Sequence, residues 1–267
     1  GQLVLARALL SETYGLLVIA IDIFATLFLL LDLGLPTLLA RDGPRQPSSI
    51  LPGMFRIYRL QGLAVLLFAP VAVWLVLSQT QHDELMLIGA GIALVHIASY
   101  APRTALRASG DARFESITKV AERTVTTIGY GGLFAMSSTD VVAYASVFLV
   151  GAVLGLTLAL VGAHRVCVTG QEQTDSTMLG SDWVSTKSIV LAALPFAITL
   201  GVLPYVIRIE KFILANELGF DQVALFHVAQ LAWLAGLLVP QAMRSALLPV
   251  LGETRNQPVV FLSLIHI

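Results

Sequence analysis

Asp22, Arg208, Glu210 and Lys211 stand in stretches whose other residues are almost all apolar, as do His96, Tyr100, Arg103 and Arg107. An ionisable side chain inside hydrocarbon costs at least ~2.5 kcal/mol on insertion scales, so such a residue faces a cavity, finds a partner or takes up a proton. Asp22 is flanked by Ile21 and Ile23 well inside an apolar run. Its carboxylate could hold a coupling ion or touch substrate; the alternative is a cavity-solvated acid with no role. Arg208, Glu210 and Lys211 lie deep in another such run. A planar guanidinium fork there suits a pyrophosphate or a sugar carboxylate, with Lys211 and Glu210 as the other substrate-binding candidates of the stretch. Alternatively the three mark the end of a helix, the cations snorkelling to headgroups and Glu210 neutralising them locally.

His96, Tyr100, Arg103 and Arg107 are spaced by four, three and four residues, which places them on one helical face. They could line a route for an anionic headgroup, or the two arginines could be ordinary loop-side charges. Glu115, Lys119, Glu122 and Arg123 can pair within one helix and read as a solvated or cavity-edge face. Asp32 precedes Gly34-Leu35-Pro36 near a helix C-terminus, where an acid opposes the helix dipole; a nearby arginine is its expected partner, with a structural role.

The elements that must position these groups are membrane helices. Of the 267 residues 57% are hydrophobic and 12% charged, with mean hydropathy +0.84, against about 25% charged in an ordinary soluble domain. Seven apolar stretches approach the length needed to cross ~30 Å of hydrocarbon: 14–39, 60–77, 85–102, 114–136, 141–163, 188–215 and 223–248. The fourth is the most polar. The fold class is therefore all-α integral membrane, a polytopic helical bundle. A formal net charge of -1 gives no basic surplus for nucleic acid. Cys167 is alone, so no disulfide framework or cysteine metal site is expected. No Walker loop, His-Glu-x-x-His or Gly-x-Ser-x-Gly appears, and Gly129-Tyr130-Gly131-Gly132 reads as close helix packing, so neither an enzyme nor a cofactor is indicated. A membrane-embedded glycosyltransferase or polymerase would need an acidic cluster or a large polar loop, whereas 78–84 and 137–140 are short.

Thirteen of the sixteen basic residues, among them Arg41, Arg45, Arg103, Arg107, Arg165, Lys187, Arg244 and Arg255, fall on one side when loops alternate; Arg7, Arg208 and Lys211 fall on the other. This places the Arg41/Arg45 loop in the cytoplasm. Residues 5–20 laid over 214–229, a shift of 209, pair Leu5 with Leu214, Leu9 with Leu218, Leu16 with Leu225 and Glu12 with Asp221. The repeat divides the chain into a first lobe, 1–170, an inter-lobe linker, 171–187, and the start of a second lobe, 188–267. The counterpart of the sixth stretch would precede residue 1. Gly1-Gln2-Leu3 lacks an initiator Met and the features of a signal peptide, and Leu262-Ser263-Leu264-Ile265-His266-Ile267 resembles translated adapter sequence, so the chain reads as a fragment of a parent with about twelve helices.

The stretches "ARALLSETYGLLVIA", "LLLDLGLPTLLAR", "ALRASGDARFESITKVAER" and the run from Leu194 to about Leu251, with Arg208, Glu210, Gly219, Pro240 and Pro249, resemble the polysaccharide (O-antigen type) flippases of the multidrug/oligosaccharidyl-lipid/polysaccharide exporter superfamily. Ala224-Leu225-Phe226 stands where that family has Gly-x-Tyr. The resemblance implies two pseudo-symmetric six-helix lobes around a central cavity, with the first helix missing here and a truncated ninth at the end. It implies a bacterial inner-membrane protein that moves an undecaprenyl-pyrophosphate-linked oligosaccharide, with polysaccharide polymerase and chain-length proteins as partners. A cation-coupled multidrug exporter of the same superfamily is the alternative, with Asp22 as its cation site.

Overall fold

The structure is a computed structural model that describes residues 1–45, 49–172, 186–237, 240 and 243. All regular structure among these residues is helical. The helices are α1 (Gln2–Ala8), α2 (Ser11–Leu29), α3 (Leu35–Asp42), α4 (Ile50–Leu77), α5 (Asp83–Ala108), α6 (Ala112–Ala135), α7 (Val141–Glu172), α8 (Thr186–Glu217) and α9 (Phe220–Gly236). Among the described residues four segments are long and apolar enough to cross a membrane: Ser11–Asp32, Ile50–Leu77, Asp83–Ala108 and Val141–Val166. Most of the expected linker (173–185), the chain beyond 243 with Arg244, Pro249, Arg255 and the truncated ninth helix, and the side chains of Arg45 and Cys167 lie outside the described residues.

Two of the apolar stretches form differently from expectation. The first does not run continuously from 14 to 39. A short 3-10 turn, Leu30–Asp32, ends α2, and two successive residues in the left-handed region, Leu33 (φ 54°) and Gly34 (φ 66°), separate it from α3. Pro36 then sits in the first turn of α3, where its missing N–H removes no helical hydrogen bond. Glycine fits Gly34 on two counts: its φ is positive, and a Cβ would lie 2.5 Å from the Ala197 nitrogen and 2.7 Å from the Ala193 oxygen of α8. The fourth stretch forms α6, but α6 is not among the four apolar segments because Glu115, Lys119, Glu122 and Arg123 interrupt it.

Short connections fold these helices into a bundle. Asp111 caps α6 by accepting the Phe114 N–H at 3.0 Å, and Gly110 (φ 87°) turns the chain between α5 and α6. α7 packs on α5 and α6, and α2 packs on α5 and α9. The core has two apolar clusters. One gathers Leu17, Phe24, Phe28, Ile92, Tyr130, Tyr144 and Val223 around α2; the other gathers Leu35, Leu39, Ile57, Leu106, Ala163 and Ala193 around α3. Along α5 the first ends at Ile97 and the second begins at Ala101, and along α2–α3 they meet between Leu31 and Leu35. At that level Asp32, Gln61, Ser99 and Arg103 are buried, so a polar layer divides the core.

The repeat is visible in the helix breaks. Ala8 and Glu217, which close α1 and α8, correspond at the shift of 209, as do Ser11 and Phe220, which open α2 and α9. α2 and α9 touch where Gly15 lies against the Phe220 carbonyl, so closely that a Cβ at Gly15 would overlap it.

Candidate functional site

Asp22 lies midway along the Ser11–Asp32 segment, on the face of α2 toward α8. Its two carboxylate oxygens take different cations of α8: Oδ2 accepts from Lys211 Nζ at 2.7 Å, and Oδ1 lies 3.3 Å from Arg208 Nε. Lys211 keeps only 4% of its side-chain surface accessible and Asp22 15%, whereas Arg208 keeps 25%. Nη1 of Arg208 also reaches Thr26 Oγ1, one turn beyond Asp22, at 3.5 Å. A single carboxylate thus faces two cations and leaves a net charge of +1 among the three groups. Asp22 and Thr26 of α2 thus meet Arg208 and Lys211 of α8 across 182 to 189 positions of sequence. Glu210, expected to neutralise its neighbours, is exposed, and both cations turn to Asp22 instead.

α9 completes the surroundings. His227 lies within electrostatic range of Lys211 and Asp22, its ring edge-on to Tyr14 at 5.9 Å. Its Nδ1 is buried with no hydrogen-bond partner among the described residues. Gln230 Nε2 donates to the Ile207 carbonyl at 3.3 Å, tying α9 to the α8 turn that presents Arg208.

The α5 series divides between two environments. Arg103 Nη2 donates to Glu122 Oε2 at 2.5 Å, and His96 Nε2 lies 3.4 Å from Glu122 Oε1. Arg107 makes a two-point contact with Glu115, Nε to Oε2 at 2.9 Å and Nη2 to Oε1 at 2.5 Å, and Lys119 Nζ joins the same carboxylate at 2.7 Å. Tyr100 stays 39% exposed and lies within electrostatic range of Asp32, Arg103, Glu122 and Arg208.

Glu115 and Glu122 correct the solvated-face reading of α6. Glu115, Thr118, Glu122 and Thr126 form one buried stripe, and Glu122 is 2% exposed. The two threonine hydroxyls bond back to the carbonyls of Glu115 and Glu122. Gly155 of α7 leaves room for the pair: a Cβ there would be 2.7 Å from Glu122 Oε2 and 2.8 Å from Arg103 Nη2. Asp32 is likewise held differently from expectation. Gln61 Nε2 of α4, not an arginine, donates to Asp32 Oδ1 at 3.2 Å and to its carbonyl at 3.3 Å.

Sequence reasoning named Asp22, Arg208 and Lys211 separately and missed their contact. It also passed over Thr26, Gln61, His227 and Gln230 as neighbours of these charges. The helical spacing of Glu115 and Glu122, seven residues apart on α6, facing Arg107 and Arg103, four apart on α5, was the one available signal. Among the described residues no group of three or more His, Cys, Asp or Glu side chains could hold a metal. An open groove of about 440 Å³ runs along α6 past Lys119, Arg123 and Thr127.

An all-α chain with several helices able to cross a membrane, and with paired charges held among them, is of the class compatible with a multi-pass membrane protein. Comparison with family models, with curated proteins and with solved structures finds no match.

Proposed function

We propose that this chain belongs to a transporter that moves an undecaprenyl-pyrophosphate-linked oligosaccharide from the cytoplasmic to the outer leaflet, for surface polysaccharide biosynthesis. The observation that carries the reading is the position of Arg208. It sits beside Asp22, in the middle of an apolar segment, and remains a quarter accessible while Lys211, at the same carboxylate, is nearly buried. A guanidinium and an ammonium within reach of one small anion form a binding pair for phosphate oxygens. Ionised residues at that depth mark substrate or ion pathways by default. Arg103, Arg107, Tyr100 and His96 continue the polar path along α5, with Glu115 and Glu122 tempering its charge.

The proposed setting is the bacterial inner membrane, with the Arg41/Arg45 loop and the inter-lobe linker in the cytoplasm and polymerase and chain-length proteins as neighbours. The coincidence of the α1/α2 and α8/α9 breaks at the repeat shift supports two lobes related by pseudo-symmetry. The midspan carboxylate of Asp22 favours a second reading, a cation-coupled multidrug exporter.

Reconstitution in liposomes with a lipid-pyrophosphate oligosaccharide separates the two. Translocation lost in Arg208→Ala is the expected result. Export of a cationic dye that depends on Asp22, with no movement of lipid-linked sugar, would replace the flippase reading by the exporter. A chain inert in both assays while a longer two-lobed parent transports would identify an inactive fragment.

A further inference from the structure

We infer that Asp22 is an internal occupant of the anion site formed by Arg208 and Lys211, and that a lipid-borne diphosphate binds there by displacing it. This rests on the reading above that the site receives such a headgroup. Three features of the geometry carry it. First, the charges do not balance: one carboxylate serves two cations, each oxygen taking one. A diphosphate brings at least two negative charges and more acceptor oxygens than the carboxylate it replaces. Second, the guanidinium of Arg208 is underused. It has five N–H donors, yet among the described residues its contacts are a 3.3 Å approach to Asp22 and a 3.5 Å one to Thr26. Third, accessibility is graded across the three groups: Arg208 keeps 25% of its side-chain surface, Asp22 15% and Lys211 4%. An incoming anion therefore finds Arg208 the most accessible cation, and Lys211 is freed for it when Asp22 moves away.

The elements involved give this exchange a mechanical result. Asp22 belongs to α2 and both cations to α8, so the ion pair fastens two helices at midspan. An anion bound to α8 alone releases α2. His227, facing the same charges from α9, adds a neutral or cationic neighbour but no competing carboxylate.

The sign of one substitution tests the inference. Asp22→Asn removes the internal competitor, so wild-type and variant chains in nanodiscs are compared for binding of undecaprenyl diphosphate, undecaprenol and inorganic pyrophosphate. The expected result is at least tenfold tighter binding of undecaprenyl diphosphate by Asp22→Asn, weaker binding by Arg208→Ala, and no change for undecaprenol. If wild type binds the lipid diphosphate and Asp22→Asn binds it equally or more weakly, the competitor role is overturned and the flippase reading stands. If neither chain prefers the diphosphate to undecaprenol, both fail. Tightening toward inorganic pyrophosphate alone would keep the displacement but overturn a lipid-borne ligand.

A second measurement needs no variant. At 2.7 Å, the Asp22 carboxylate and the Lys211 amine are placed for a membrane-permeant carbodiimide to join them as an amide, with the water lost taken up as urea. Undecaprenyl diphosphate, but not undecaprenol, should reduce that cross-link. A yield unchanged at saturating lipid diphosphate would overturn displacement.

Discussion

Replacing Glu122 by glutamine keeps the side chain's shape and removes its charge. Arg103 is then left nearly buried with a neutral amide in place of the carboxylate at 2.5 Å, and its Nε is already without a hydrogen bond among the described residues. Breaking a buried ion pair by removing one partner costs about 3–5 kcal/mol, because the surviving charge keeps its desolvation penalty. His96 at 3.4 Å and Arg123 at 3.7 Å face the same carboxylate, so the loss belongs at the upper part of that range. The assay is reversible unfolding of the purified protein in mixed micelles, followed by circular dichroism. Joint replacement, Arg103→Met with Glu122→Met, removes both penalties and should recover most of the loss, since Gly155 leaves space at this point for unbranched side chains. The reasoning is refuted if Glu122→Gln lowers stability by less than about 1 kcal/mol, or if the double variant is no more stable than the single one.

The same unfolding assay checks three further changes. Gly155→Ala places a methyl against the Arg103–Glu122 pair and should cost about 1–3 kcal/mol, an overpacking penalty that is smaller in the Glu122→Ala background, where the Oε2 contact is gone and Arg103 is free to withdraw. Gln61→Leu withdraws the donor that holds buried Asp32 and should cost about 1–3 kcal/mol. Asp111→Ala removes the cap of α6 and should cost about 1 kcal/mol, with Asp111→Asn nearly neutral.

Much of the helical framework was legible in the sequence, because burial in lipid or in a bundle demands long apolar stretches and the turns between them carry their own signals. Gly110-Asp111 between α5 and α6, and the polar tetrapeptide before α7, fall where the chain turns. The break at Leu33-Gly34 was harder to see. Gly34-Leu35-Pro36 suggested a weak point, yet the hydropathy signal runs straight across it, and only the contact with Ala193 and Ala197 explains why the backbone turns left-handed there. The charges were found individually but not their pairings. Spacing within a helix specifies neighbours three or four residues away, whereas Asp22 and Lys211 are 189 residues apart and Arg103 and Glu122 are 19 apart. Which cation a carboxylate takes is set by how helices pack. For the same reason an arginine was expected beside Asp32, where α4 in fact brings Gln61.

For a chain whose helices are compatible with crossing a membrane, the buried glutamates of α6 bear on how insertion would proceed. Taken alone, α6 would carry Glu115, Lys119, Glu122 and Arg123 into the bilayer, a penalty on the order of 10 kcal/mol on insertion scales. Two of the cations that neutralise its carboxylates, Arg103 and Arg107, lie on the preceding helix, and only Ser109, Gly110 and Asp111 separate the two. α5 is long and apolar enough to cross, yet it too brings two arginines that need counter-charges. Synthesised in succession, they are suited to leave the insertion machinery together as a hairpin, each supplying the other's counter-charges before either meets lipid.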